Sequence, residues 1–195
     1  GYIIAKIIKL LKVLLLLWKI CVFAGTGRRP YCFYRKPINT IPMKSVLFKH
    51  RSIRKFRSTP IPEDVLHEIL EAASRASTCG NMQLYSLVVT RDAALRGRLA
   101  PCHFNQPMVT QAPCVVTVCA DVHRFSMWCR QCDADPAYDN FAWFLNAATD
   151  ALLAAQNLCV EAELKGLGIC YLGTTIYTAG EIAAVSYTHL TLPTN

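Results

Sequence analysis

The segment Phe141–Leu164 constrains this chain more than any other. It reads as one long helix, rich in Ala147, Ala148, Ala151, Ala154 and Ala155. Side chains this small allow close packing of a neighbouring helix, so the fold is built in layers around it. The same stretch would leave much apolar surface uncovered if the domain stood alone. A large exposed apolar patch marks an interface, so an isologous homodimer is expected.

The other elements are shorter. Met43–His50 reads as a helix with Val46 and Leu47 apolar and Lys44 and Lys49 outside. Pro60-Ile61-Pro62-Glu63-Asp64 opens a second helix, since proline near the start and acids in the first turn favour a helix N-terminus. Val65, Leu66, Ile69, Leu70 and Ala73 follow at helical spacing. Ser74–Met82 reads as a polar loop, Leu84–Thr90 as a strand and Asp92–Leu99 as a short helix. Val115–Ala120 is a continuous apolar run short enough for a buried strand. Trp128–Asp139 reads as loop, Gly166-Leu167-Gly168 ends the long helix, and Ile169–Leu172 reads as a further strand. Helices and strands alternate, which gives a layered α/β or α+β domain.

Charge divides the chain. Residues 1–42 hold Lys6, Lys9, Lys12, Lys19, Arg28, Arg29, Arg35 and Lys36 and no acid, so the net charge of +8 belongs to them alone. Nucleic-acid binding, which such a charge would otherwise suggest, is not expected of the neutral remainder. The leader is too often interrupted by lysine to span a membrane. It is read as a segment that is not native or stands outside the fold. A surface-lying amphipathic helix or a signal peptide are the alternatives. At the other end, Val185–Thr194 matches a translated sequencing-library adapter, so 185–195 is set apart and the natural protein is expected to continue beyond Ala184. Residues 43–184 remain as the one folded domain. A hydrophobic content of 53% excludes a disordered chain. Most of the ten cysteines sit in apolar runs such as Cys114–Cys119, which suits a reduced, cytoplasmic protein.

Three constellations carry chemistry. In His50-Arg51-Ser52-Ile53-Arg54-Lys55-Phe56, two guanidiniums and a hydroxyl can meet phosphate oxygens, although composition alone also allows a solvated basic helix end. Ser77-Thr78-Cys79-Gly80-Asn81-Met82-Gln83 places hydroxyls, a glycine and two amides between a helix and a strand, where a binding loop or an ordinary capped turn would sit. Gly166-Leu167-Gly168-Ile169-Cys170-Tyr171-Leu172-Gly173-Thr174 is neither a dinucleotide fingerprint nor a P-loop, because its glycines have the wrong spacing and no Gly-Lys-Ser/Thr follows.

Taken in order, these segments resemble the nitroreductase family of FMN-dependent NAD(P)H oxidoreductases. The resemblance runs through His50-Arg51-Ser52, Arg54, Phe56, Pro60, Pro62, Ala72-Ala73, Ser77, Asn81, Gln83, Asn105-Gln106 and Gln111-Ala112-Pro113. It continues through Asp150, Gln156-Asn157, Ala162, Gly166-Leu167-Gly168 and Tyr171-Leu172-Gly173. The His-Arg-Ser start and Val118-Cys119-Ala120-Asp121 look like the branch with NADPH-preferring enzymes and flavin reductases. What the resemblance implies is an α+β fold with a central mixed or antiparallel sheet flanked by helices, dimeric, and incomplete here at the C-terminus. Arg51 and Ser52, with His50 beside them, would bind the FMN phosphate, and Arg54 would lie near the pyrimidine edge. Ser77, Thr78, Asn81 and Gln83 would line the flavin from one subunit of the dimer. Asn105 and Gln106 would bond its pyrimidine side, and Tyr171, Leu172, Gly173 and Thr174 would face the N5/O4 edge. The flavin carries the chemistry, so no catalytic acid, base or nucleophile is expected, and NAD(P)H and a small-molecule electron acceptor are the co-substrates. Family members supply a late lysine or arginine to the phosphate, which here would lie after Ala184, and Met108 stands where some relatives carry lysine.

Other signals rank below these. Cys129 and Cys132 form a lone C-x-x-C without a second pair, so no metal is expected. His67 reads as a helix-surface histidine, and Tyr177 as a substrate contact or a packed side chain. Two other functions fit part of the pattern. One is a flavin-binding module without catalysis, and the other a membrane-surface protein acting through the basic leader.

Overall fold

The structure is a computed structural model that describes residues 46–57, 59–136 and 140–186. The expected leader, and the adapter-like tail from Tyr187 onward, lie outside the described residues. Helix α1 spans Val46–Lys49, α2 Glu63–Ser74, α3 Ala93–Cys102, α4 Pro107–Gln111, α5 Val122–Gln131, α6 Phe141–Leu164 and α7 Ala179–Ser186. Strands β1, Tyr85–Thr90, and β2, Val115–Ala120, form a two-stranded antiparallel sheet. Its register pairs Tyr85 with Ala120 and Thr90 with Val115. Short 3-10 turns occupy Cys79–Asn81 and Gly173–Ile176. The architecture is α+β.

Helix α6 is the spine. Asn140 caps it by accepting from the Trp143 N–H at 3.1 Å. Its alanine face lies against the sheet. Ala151 and Ala154 pack with Tyr85, and Ala147 and Trp143 pack with Leu84. On another flank α6 meets α2, where Asn157 donates to the Ala72 carbonyl at 3.3 Å and Lys165 pairs with Glu68. A second core lies between α3, α4 and α7, around Leu99, Cys102, Val109 and Ile182.

This revises the motive for a dimer. The alanines face the chain's own sheet rather than a second copy. What α6 leaves exposed is a different set, Phe141, Phe144, Leu152, Leu153 and Leu164, with Leu152 65% exposed.

Two expected elements differ. Trp128–Asp139 is not a loop at its start, because α5 runs through Trp128 to Gln131, while residues 137–139 are outside the described set. Asp121 nucleates that helix by accepting from the Arg124 N–H at 3.1 Å. Val122 and Phe125 then pack at helical spacing onto the Leu84–Trp143 cluster. The exposed polar side chains on its outer face gave it a loop-like composition. Ile169–Leu172 is not a strand. Only Ile169 pairs, in one parallel bridge with Ser52, because the Gly173–Ile176 turn follows before a ladder can extend. Helix α3 also runs past the expected end at Leu99 to Cys102, with Pro101 in its last turn. Helix α7 continues through Val185, which packs on the second core, to the buried Ser186.

Glycine is required at 168 by close approach. A Cβ there would stand 2.9 Å from three atoms of the Ile53 side chain. Gly168→Ala should therefore lower stability by about 1–3 kcal/mol. The check is urea unfolding, with a reduced midpoint and an unchanged slope.

Candidate functional site

The first and third constellations are brought together. Ser52 forms the parallel bridge with Ile169, and the Ile53 N–H donates to the Ile169 carbonyl at 2.8 Å. One residue before Arg51, the His50 ring meets Glu163 of α6, with Nδ1 and Oε1 2.9 Å apart. The segment is thus laid across the C-terminal end of α6. Helix α6 stops at Lys165, and Gly166 turns the chain with φ of 78°, a left-handed conformation that suits glycine. Arg51, Ser52 and Arg54 are exposed, and among the described residues neither guanidinium has an ion-pair partner. Two cations and a hydroxyl thus stand on a pinned segment without a protein carboxylate, which is the donor set an anionic ligand needs.

The second constellation is organised by a residue to which the sequence assigned no role. Asp150 of α6 is 1% exposed. Its two carboxylate oxygens accept from the Cys79 N–H at 3.0 Å and the Leu84 N–H at 3.2 Å, one at each end of the loop. A buried carboxylate is tolerable only when hydrogen-bonded in this way. Between those anchors Gly80, Asn81 and Gln83 all have positive φ, at 57°, 55° and 52°. Left-handed backbone at non-glycine residues is costly and collects at binding sites. Gln83 donates through Nε2 to Asn81 Oδ1 at 3.3 Å, and the Arg124 guanidinium donates to the Gln83 carbonyl. An open cleft of about 370 Å³ lies here, lined by Asn81, Met82, Gln83, Arg124, Phe125 and Trp128. Ser77 is exposed and Thr78 half-buried at the start of the loop. The α5 contributors to the cleft were missed, and the Asp121 cap was the signal that could have found them.

The remaining expected residues meet around the end of α3. Phe104 and Asn105 have φ of 55° and 53°, and the Asn105 N–H closes back on the Ala100 carbonyl at 2.8 Å. Gln106 precedes α4 as its N-cap residue. The buried His103 ring reaches Thr174, with Nδ1 2.7 Å from Oγ1, and Thr178 donates to the Cys102 carbonyl at 2.6 Å. Leu172 packs on the second core, so with the His103–Thr174 contact the 172–174 segment is tied to the end of α3, from which Asn105 and Gln106 follow. Burial, with a hydrogen bond donated to the Cys159 sulfur second, pushes the Tyr171 phenol above its usual range. Among the described residues no hydrogen bond joins the Ser77–Gln83 loop to the Arg51–Arg54 segment.

Cys129 is buried in α5 and Cys132 is exposed at its end, and both are free thiols. Among the described residues no group of three His, Cys, Asp or Glu side chains is placed to hold a metal ion. None of the described helices is long and apolar enough to cross a membrane. His67 is exposed on α2, as its sequence setting suggested, and Tyr177 is 80% exposed rather than packed.

The chain belongs to the nitroreductase family, whose model matches residues 47–187. An FMN reductase (NADPH) of Bacillus subtilis is 32% identical over 137 residues, which are 69% of this chain and 54% of that protein. An oxidoreductase structure from Bacteroides fragilis superposes with a TM-score of 0.70 at 52% identity, covering 72% of this chain and 57% of that one. An NADPH:FMN oxidoreductase of Vibrio harveyi, solved with NAD+, gives a TM-score of 0.67 at 30% identity, with 73% and 60% covered. The chain spans about half the length of the curated relatives it matches.

Two outcomes follow from the anchors. Asp150→Ala strands the buried Leu84 N–H, worth about 1–3 kcal/mol, and frees the part-buried Cys79 N–H, and should lower unfolding stability by about 1–4 kcal/mol. His103 is the second. Burial holds its pKa below the ordinary 6.5. The unfolded chain therefore binds the proton more readily, and stability that is full above pH 6.5 is lost as pH falls toward the folded value. Thermal midpoints should drop on acidification below pH 6.5, and His103→Asn should flatten that part of the profile.

Proposed function

We propose that this chain carries the flavin-binding part of an FMN-dependent oxidoreductase that moves hydride from NAD(P)H to nitroaromatic, quinone or flavin acceptors by a ping-pong mechanism. The observation that carries the reading is the Arg51-Ser52-Arg54 segment, pinned by backbone to Ile169 yet with both guanidiniums unpaired among the described residues. A phosphate monoester fits that donor set, since a guanidinium can bond two of its oxygens at once.

Each group of residues then has one task. Arg51 and Ser52, with His50, hold the phosphate, and Arg54 offers a cation to the pyrimidine edge. Asn81 and Gln83, on strained backbone between two Asp150 anchors, present amides at fixed positions on a flavin ring. Asn105, Gln106 and the 171–174 backbone supply further hydrogen-bonding groups, with Ser77 and Thr78 at the rim. When bound, FMN supplies the hydride chemistry, and the protein's part is binding, orientation and electrostatics. The names of the B. subtilis and V. harveyi relatives support FMN and a nicotinamide co-substrate. The cleft beside Gln83, with the Phe125 and Trp128 rings and the Arg124 guanidinium, suits a flat aromatic acceptor.

The working form in this reading is a homodimer. Phe141, Phe144 and Leu152, at helical spacing, form an exposed apolar face on α6, continuous with the helix that holds both loops. A cytoplasmic location goes with it, since Cys102, Cys129 and Cys159 are buried as free thiols.

Arg51→Ala should weaken FMN binding by about 1.5–3 kcal/mol, the worth of a charged hydrogen bond. Fluorescence titration reads this, and unchanged affinity would remove the phosphate assignment. The dimer has its own check. The chain should sediment as a dimer and Leu152→Glu as a monomer with weakened FMN retention, whereas a flavin-loaded, active wild-type monomer would contradict the assembly.

A further inference from the structure

Glu163 sits in the last turn of α6, where the helix dipole disfavours an acid, and that turn holds no basic residue. Its neighbour Glu161 is paired with Lys165. Glu163 instead points its carboxylate at His50, 113 positions away in sequence, at 2.9 Å, with its side chain only 11% exposed. The helix gains nothing locally from an acid at this position.

The geometry explains what the contact does. The segment His50–Ile53 has two attachments to the body of the protein. Upstream, the His50 ring is held by Glu163; downstream, the Ile53 N–H is held by the Ile169 carbonyl at 2.8 Å. Arg51 and Ser52 lie between them. Glu163 also bonds a histidine and leaves both neighbouring guanidiniums without a carboxylate among the described residues. Binding the ring through Nδ1 leaves Nε2 as the ring atom able to meet a ligand oxygen.

We infer that Glu163 is a positioning residue for the phosphate end of the flavin cofactor, acting through His50 and the two-point suspension of Arg51 and Ser52. It touches no ligand itself. The inference rests on the phosphate assignment made under the proposed function, and it commits to an effect on the phosphate alone.

The test compares FMN with riboflavin, which has the same ring system and no phosphate. Both are titrated by fluorescence quenching against the full chain as wild type, Glu163→Gln, Glu163→Ala, His50→Ala and the double variant Glu163→Ala with His50→Ala. Wild type should prefer FMN. Glu163→Ala should lose about tenfold in FMN affinity, the scale of one charge-assisted hydrogen bond, and leave riboflavin affinity unchanged. Glu163→Gln, which keeps the size and an acceptor oxygen, should lose about threefold. The double variant should bind FMN no more weakly than His50→Ala, because the two residues act as one unit. Thermal unfolding of the ligand-free variants reports whether each is folded, and if Glu163→Ala is not, Glu163→Gln decides alone. Unchanged FMN affinity, an equal loss for both ligands, or additive losses in the double variant would overturn the inference and leave the phosphate assignment standing. A wild type that binds FMN and riboflavin alike would overturn both.

Discussion

A buried carboxylate meeting two backbone N–H groups is the constraint on which the rest of the site depends. Asp150 sits in the middle of α6, on the face that the sheet covers, and it would be costly there without partners. Cys79 and Leu84 provide them. The consequence reaches in two directions. Toward the core, the bond fixes where Leu84 enters the sheet, and the next turn of α6 packs Ala151 and Ala154 against Tyr85. Toward the surface, it closes the ends of the Cys79–Leu84 loop to one carboxylate's width. A loop so short and so firmly tied must bend sharply, and the left-handed residues within it are the result. Core packing and site shape are thus set by the same side chain.

Helix α6 joins this loop to the other elements of the site. Asp150 serves one constellation, and Glu163, near its far end, serves the first. Gly166, just beyond it, starts the third. The alanines between allow the sheet to lie close, so that a single rigid rod carries both attachments with little slack. Trp143 is buried with the alanines, while Phe141, Phe144 and Leu152 are left exposed on another face.

Much of this was legible in the sequence. The long helix, both strands and the second helix follow from periodicity and run length, and β2 and α6 fall at their expected limits. The nitroreductase-like order of motifs identified the family and drew attention to Asn81, Gln83 and Asn105, all three of which prove to have left-handed backbone. What escaped was carried by partners distant in sequence. Asp150 reads as one acid on an apolar helix until the N–H groups it meets are known. Glu163 reads as a solvated charge beside Glu161. Helix α5 was hidden because its polar outer face outweighed Val122 and Phe125, although Asp121 marked its start. The expected strand at Ile169–Leu172 failed for the opposite reason. Its residues have strand-like composition, but only Ser52 and Ile53 lie alongside to pair with it.

The left-handed backbone at Asn81, Gln83 and Asn105 sets stability and recognition against each other. Glycine would adopt these angles without strain and asparagine adopts them more readily than other side-chain-bearing residues, so it is Gln83 above all that holds an amide against the backbone's preference. Random variation screened only for resistance to heat would tend to drift toward glycine at 81, 83 and 105. The survivors would be sturdier and would have lost the amides. A catalogue of variants ranked by melting temperature could then be read in reverse, with the substitutions that most improve the fold marking the positions the site needs.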